Sequence, residues 1–340
     1  MTAGPDRLDQ AVHQLQAALA DLQPGATRSV PTVAQYLPQI EAAAGPAARR
    51  TYGSYWKHMA HAWGERRLDD IRATDVEALR RHAAANAVPR RNGRSGRYAG
   101  VHLITAARAL FTRAIADGYI TPDASPAHRI SKPRRLPSTR RALTPGELAA
   151  INTIARTTGH DPALDALLLR LHTETACRRG GALALRATDV DPDRGLVLLH
   201  EKGGTMRWQP VTLELAAHLL HHARTRGATK PQDQLLRHRD GRPLTGRRYD
   251  QLWARIGRHL PWVTAQCIST HWLRHTTLTW VERHYGYATA RAYAGHTDTT
   301  GPATTTYIKA DLTEVATALA ALTGQPHPLA VHAPHTGAPR

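Results

Sequence analysis

Apolar residues recur at three- and four-residue spacing along most of this chain, the spacing that lines one face of an α-helix. Leu8, Val12, Leu15, Leu19 and Leu22 form such a set over 6–22, which stops at Pro24-Gly25. Further sets predict helices over Thr32–Ala43, Ala47–Trp63, Thr74–Ala85, with Thr-Asp in cap positions, and Tyr98–Asp117. Strand patterns are scarce before residue 120, so the first third of the chain is expected to be helical. Residues 121–142 combine prolines with arginine and lysine and show no period, as an extended connection would. Thr144-Pro145-Gly146-Glu147 then supplies a capping box with proline at the first helical position, predicting a helix over Pro145–Thr157. Asp161–Glu174 is amphipathic. Gly195–His200 and Thr205–Val211 are short extended runs joined by Glu201-Lys202-Gly203-Gly204, the pattern of a β-hairpin with a glycine turn. Helices are predicted again over Leu213–Arg226, Gly246–His259, Thr270–Tyr285, Ala288–Ala294 and Asp311–Leu322.

These elements describe a mainly α protein with a small β-sheet or hairpin in its C-terminal part. The expected organisation is a helical extension over 1–28, a helical domain over 29–120 and a basic, proline-rich linker over 121–142. A mixed domain follows over 143–324, and a tail rich in proline and histidine over 325–340 is expected to be disordered.

Charge narrows the partner. Lys and Arg total 45 against 27 Asp and Glu, a formal net charge of +18. An excess of that size suits a polyanion, with nucleic acid first and an anionic membrane second. No apolar run reaches the length a spanning helix needs, so no membrane partner is expected. The N-terminus shows no basic-then-apolar leader pattern, so a cytoplasmic location is expected. The two cysteines, Cys177 and Cys267, are too few for a disulfide framework, and no paired Cys/His spacing announces a metal. Basic charge is nearly all arginine: lysine occurs only at Lys57, Lys132, Lys202, Lys230 and Lys309. Arg90, Arg91, Arg94 and Arg97, in a glycine-punctuated loop, and Lys132, Arg134 and Arg135, in the linker, are candidate DNA-contacting residues.

Five short segments carry chemistry, in this order: Glu174–Leu183 with Arg178, Lys202 in the hairpin turn, His271-Trp272-Leu273-Arg274, Gly295-His296, and Thr304-Thr305-Thr306-Tyr307. Each alone has an ordinary explanation, such as a surface arginine pair at Arg178-Arg179 or a core tyrosine at Tyr307. Together and in this order they resemble the tyrosine recombinase, or phage integrase, family. The resemblance covers roughly residues 30–322, with the motifs confined to 170–310. It implies a two-domain clamp on double-stranded DNA, a helical core-binding domain plus a catalytic domain, working as a homotetramer on DNA and as a monomer or dimer in solution. It also implies catalytic residues Arg178, Lys202, His271, Arg274, His296 and Tyr307, with no cofactor and no metal. Three departures stand out: Gly181 where the family carries glutamate, Trp272 where aspartate is frequent, and about two extra residues between His296 and Tyr307, near Thr300-Gly301-Pro302.

The chemistry fits these residue types. Two guanidinium groups stay protonated and can clamp the non-bridging oxygens of one phosphate. His271 and Arg274, three apart, share a helix face. A phenol needs a base to become a nucleophile, and His271 is the candidate. His296 is expected to hydrogen-bond the phosphate, and Lys202 to protonate the departing 5′-oxygen. The rival readings are a type IB topoisomerase, which shares the phosphotyrosine chemistry, and an idle DNA-binding protein on the same fold. The helix over Asp311–Leu322 resembles a family helix that docks on a neighbouring protomer, which favours the recombinase.

Overall fold

The computed structural model describes residues 29–87, 96–133, 140–201, 204–295 and 311–330. The predicted helix over 6–22, and with it the extension 1–28, lies outside the described residues, as do Arg90, Arg91, Arg94, Arg134, Arg135, Lys202, His296, Tyr307 and tail residues 331–340. Contacts divide the chain into two compact units, Met1–Pro137 and Ser138–Arg340.

The first unit is helical: α1 (Val33–Ala43), α2 (Pro46–Trp63), α3 (Ala73–Ala85) and α4 (Arg97–Ala116). Their apolar stripes meet in one core that includes Tyr36, Trp56, Met59, Leu103, Leu110 and Phe111. Thr32 caps α1: its hydroxyl accepts from Gln35 N while Gln35 Oε1 accepts from Thr32 N. At α3 the cap is not Thr74. The helix begins one residue earlier, and the Asp75 carboxylate reaches back to the Arg72 N–H at 2.8 Å.

The expected linker needs correcting over its first half. Ser125, Ala127 and Ile130 are buried against the first core. Arg108 on α4 gathers this segment, donating to Ala127 O at 3.2 Å and to Ile130 O at 2.6 Å. Prolines and charge argue for extension, but two apolar side chains and one guanidinium with carbonyls in reach bind the segment down. Of the candidate DNA-contacting residues in this unit, Arg97 opens α4 and Lys132 follows the packed segment, and both are exposed.

The second unit begins with α5 (Pro145–Thr157), α6 (Pro162–Thr175) and the short α7 (Arg179–Ala184). The Thr144–Glu147 capping box forms as predicted, with Thr144 N donating to Glu147 Oε2 at 2.8 Å. The hairpin is β2 (Leu196–His200) with β3 (Met206–Pro210), in the register Leu196↔Pro210 through His200↔Met206. A third strand that the pattern had not announced, β1 (Val190–Asp191), pairs with β2 to give an antiparallel sheet of order β1-β2-β3. Helices α8 (Leu213–Thr225), α9 (Gly246–His259), α10 (Pro261–Ala265), α11 (Thr270–Ala294) and α12 (Leu312–Thr323) complete the unit. Helix α11 breaks at Gly286, where φ is +82°. The two predicted helices Thr270–Tyr285 and Ala288–Ala294 are its two arms. Trp272 lies in the main core of this unit, beside Leu273.

Helix α12 uses its apolar face on its own chain: Val315, Ala318 and Leu319 pack with Ala176, Val281, Ala290 and Tyr293. The predicted disordered tail is also ordered at its start. His327 is 3% exposed, donates from Nε2 to Gly195 O at 3.0 Å and accepts the Leu329 N–H on Nδ1. A carbonyl at the turn before β2 thus gains a partner from the far end of the chain, and that contact holds Gln325–Ala330 in place. Among the described residues, no helix is long and apolar enough to cross a membrane.

The unit's buried ion pairs are costly to break. The Asp165 carboxylate, fully buried on α6, pairs with Arg248 and Arg255 of α9, the latter at 2.6 Å. Asp165→Asn leaves two guanidinium groups without a counter-charge and should cost about 3–5 kcal/mol. Urea unfolding of the variant measures this, and a loss under about 1 kcal/mol would contradict the assignment.

Candidate active site

The site is built where α6 ends. Ala176 caps that helix in the left-handed region, with φ +49°, and its N–H donates to His172 O. His172 is held from both ring nitrogens: Nδ1 donates to Cys177 O at 3.1 Å, and Nε2 accepts from the Tyr249 hydroxyl at 3.0 Å. Burial keeps His172 neutral by lowering its pKa to about 4. The chain leaves this clamp at Cys177 and delivers Arg178 as the residue that begins α7. The Cys177 thiol is pushed up to about 11 by burial, so it is a protonated, inert neighbour rather than a nucleophile.

Arg178 reaches across to the hairpin, where Nη1 donates to Glu201 Oε2 at 2.7 Å. Its side chain is 41% exposed whereas that of Glu201 is 3% exposed, so the guanidinium is anchored from the protein side and open on the other. Arg207, inward on β3, places Nη2 3.6 Å from Glu201 Oε1 and donates from Nη1 to Gln209.

Arg274 enters from the first arm of α11 and is 4% exposed. It donates to Ala176 O and, at 2.8 Å, to Ala294 O. Both acceptors are carbonyls at helix C-termini, the end of α6 and the end of α11, where the helix dipole favours a cation. Burial first, and then Arg178, lower its pKa to about 10, with Glu201 acting in the opposite sense. It stays cationic at neutral pH.

His271 stands one turn before Arg274 at the surface. Desolvation by the surrounding protein, followed by the charges of Arg140 and Arg274, His275 and Arg178, depresses its pKa. The ring is therefore neutral at pH 7, the form that can accept a proton. Arg178, His271 and Arg274 thus lie in one neighbourhood, where the charges of both arginines bear on His271 and that of Arg178 bears on Arg274. Lys202, His296 and Tyr307 lie outside the described residues. The described residues just before the first two, Glu201 and Gly295, both border Arg207.

Glu201 and Arg207 were not anticipated. A signal was present in β3, where polar Arg207 and Gln209 alternate with Met206 and Trp208. Hydrophobicity would turn the Met and Trp inward, but the structure does the reverse: Met206 and Trp208 are exposed, and Gln209 is fully buried. Among the described residues, no group of three His, Cys, Asp or Glu side chains converges as a metal site would require.

Known proteins share the family and the fold of this chain. Residues 141–313 match the family model described as the phage integrase family. A lambda integrase dimer bound to a COC′ core site is similar in fold, with TM-score 0.58 at 17% identity over 79% of this chain and 97% of that chain. A Tn1549 transposon integrase in complex with circular intermediate DNA gives TM-score 0.61 at 15% identity, over 82% and 95%. A lambda integrase tetramer bound to a Holliday junction gives TM-score 0.58 at 16% identity, over 89% and 91%. No curated protein sequence matches the chain.

The neutral state of His271 can be read directly. In an NMR pH titration its ring should titrate below the ordinary value of about 6.5, and Arg140→Ala should raise that midpoint by removing a repelling charge. Because its pKa is depressed, a cleavage step that uses His271 as base should lose rate at a lower pH than an ordinary histidine would impose. A midpoint at or above 6.5 would overturn the assignment.

Proposed function

This chain belongs to the phage integrase family, the site-specific tyrosine recombinases, and we propose that it cuts and rejoins double-stranded DNA through a 3′-phosphotyrosine at Tyr307. The observation that carries this reading is the cluster itself. Two guanidinium groups from separate elements, Arg178 and Arg274, stand beside a neutral imidazole, with Arg178 still open toward solvent.

In this reading the two arginines hold the non-bridging oxygens of the scissile phosphate and stabilise the charge that grows there. The Tyr307 hydroxyl passes its proton to His271, and its oxygen attacks phosphorus. The bond from phosphorus to the 5′-oxygen breaks as Lys202 gives that oxygen a proton, leaving a free 5′-hydroxyl. His296 supplies a further hydrogen bond to the phosphate. One phosphoester replaces another, so the reverse step can reseal the strand without an external energy source.

The partner is duplex DNA, in keeping with the +18 charge and with the DNA complexes of the structural relatives. Arg90, Arg91, Arg94, Arg97, Lys132, Arg134 and Arg135 contribute backbone contacts, with the two domains acting as a clamp. The lambda integrase tetramer on a Holliday junction supports a homotetramer as the working assembly. We place its action in the cytoplasm, on the nucleoid.

A DNA substrate nicked so that the cleaved end diffuses away tests the reaction. The wild-type chain should accumulate a denaturant-resistant protein–DNA adduct that Tyr307→Phe cannot form. An idle DNA-binding protein would form none, and an adduct on the Phe variant would displace Tyr307 as nucleophile. Arg178→Ala should cut the single-turnover cleavage rate by about 10²–10³, the usual loss for removing one oxyanion donor, while DNA affinity changes little. Cleavage near the wild-type rate in that variant would refute the charge-clamp role.

A further inference from the structure

The buried carboxylate of Glu201 sits where several strands of the site meet. Glu201 directly follows β2, and its backbone N–H donates to Thr205 O at 2.8 Å, closing the base of the hairpin turn. One carboxylate oxygen takes Arg178 at 2.7 Å, and the other faces Arg207 at 3.6 Å. Arg207 in turn packs directly on Gly295, the left-handed cap of α11 with φ +65°, where an added methyl group would overlap its Nε. A line of contacts therefore runs from Arg178 through Glu201 and Arg207 to Gly295. Lys202 follows Glu201 in the chain, and His296 follows Gly295.

Electrostatics gives this carboxylate a second task. Arg178 repels both Arg207 and Arg274, Arg207 repels Arg274, and Glu201 is the carboxylate that opposes this repulsion at both. A flexible, half-exposed arginine with no fixed anion behind it would swing toward water. A charge-assisted hydrogen bond to a buried carboxylate fixes its direction.

We propose that Glu201 is a positioning residue for strand cleavage: it aims Arg178 at the scissile phosphate and, through Arg207, ties the hairpin turn to the cap of α11. The proposal rests on the reading of Arg178 as a phosphate clamp. It requires both the charge and the reach of glutamate. Glu201→Gln keeps the reach and loses the charge, whereas Glu201→Asp keeps the charge and loses the reach to Arg178. Both should therefore leave DNA bound but poorly aligned, and a displacement near 1 Å at such a site costs about 10²-fold in rate.

The test measures single-turnover adduct formation on the nicked substrate at saturating protein, together with the Kd for the same DNA. Both Glu201 variants should cleave about 10²-fold more slowly with Kd within about twofold of wild type. Asp165→Asn, which breaks a buried ion pair elsewhere in the same unit, serves as the stability control. At a temperature where it and the Glu201 variants are folded by circular dichroism, it should cleave at the wild-type rate. A general loss of stability would slow all three alike and overturn the proposal. So would cleavage by the folded Glu201 variants within threefold of wild type, or a loss confined to Kd. Should Glu201→Gln fail to fold, Glu201→Asp alone decides. If the wild-type chain forms no adduct, the recombinase reading itself fails. A wild-type adduct with undiminished Glu201 variants removes this inference only.

Discussion

Like charges forced together away from water dominate the physics of the second unit. Arg178, Arg207 and Arg274 are drawn toward one small volume, and burial strips hydration from Arg207 and Arg274 while their neighbours repel them. An arrangement of this kind persists only when fixed partial or full negative charge lies close by. Two sources meet that demand. Arg274 is inserted between the carbonyl-bearing ends of α6 and α11, and Arg178 and Arg207 flank the Glu201 carboxylate. The left-handed turn at Ala176 belongs to the same solution, because it closes α6 at the carbonyl that Arg274 takes.

That demand explains why α6 and α11 are joined by polar as well as apolar contacts. Thr277 donates to Thr173 O at 2.7 Å, and the Tyr293 hydroxyl donates to Glu174 O. At the start of α11, Trp253 Nε1 donates to Thr270 at 2.8 Å. Glu174 itself is fixed by Arg170 at 2.7 Å and by the Thr212 N–H at 2.9 Å. Helix α11 is thus pinned near its beginning, its middle and its end, and the break at Gly286 lets its second arm return the Ala294 carbonyl to Arg274. Tyr293, Ala290 and Val281 give α12 an apolar seat against the same helix. Rigidity here serves the alignment of a few guanidinium hydrogens, the kind of pre-organisation that phosphoryl transfer demands.

Most of this architecture was legible in the chain because it is written locally. Helical spacing places the helices of both units, and caps such as Thr32–Gln35 and Thr144–Glu147 mark where two of them begin. The hairpin announced itself through two extended runs around glycines. Failures came where distant groups overruled local character. Residues 125–130 read as linker but are gathered by Arg108, and His327 reads as tail but caps a carbonyl at Gly195. At α3 the Asp75 side chain moved the start by one residue, since a carboxylate can satisfy the first N–H from inside the helix. In the proposed site, Arg178, His271 and Arg274 were visible as motif residues. Glu201 and Arg207 were not, because β3 turns its Met and Trp outward to make room for a cation.

By itself the sequence determined which chemical groups are present, their order, and the periodicities that make this a mostly helical chain with one small sheet. It also set the large positive charge that calls for a polyanionic partner. Only the tertiary structure decided that Arg274 would spend two of its donors on helix ends, that Arg178 would lean on Glu201, and that Arg207 would be drawn inside. Helical and strand patterns arise between neighbours a few residues apart and leave a repeating trace. Pairs such as Arg274 with Ala176, 98 residues apart in the chain, arise once each from packing, where burial makes every unpaired charge expensive and any carbonyl within reach becomes a partner.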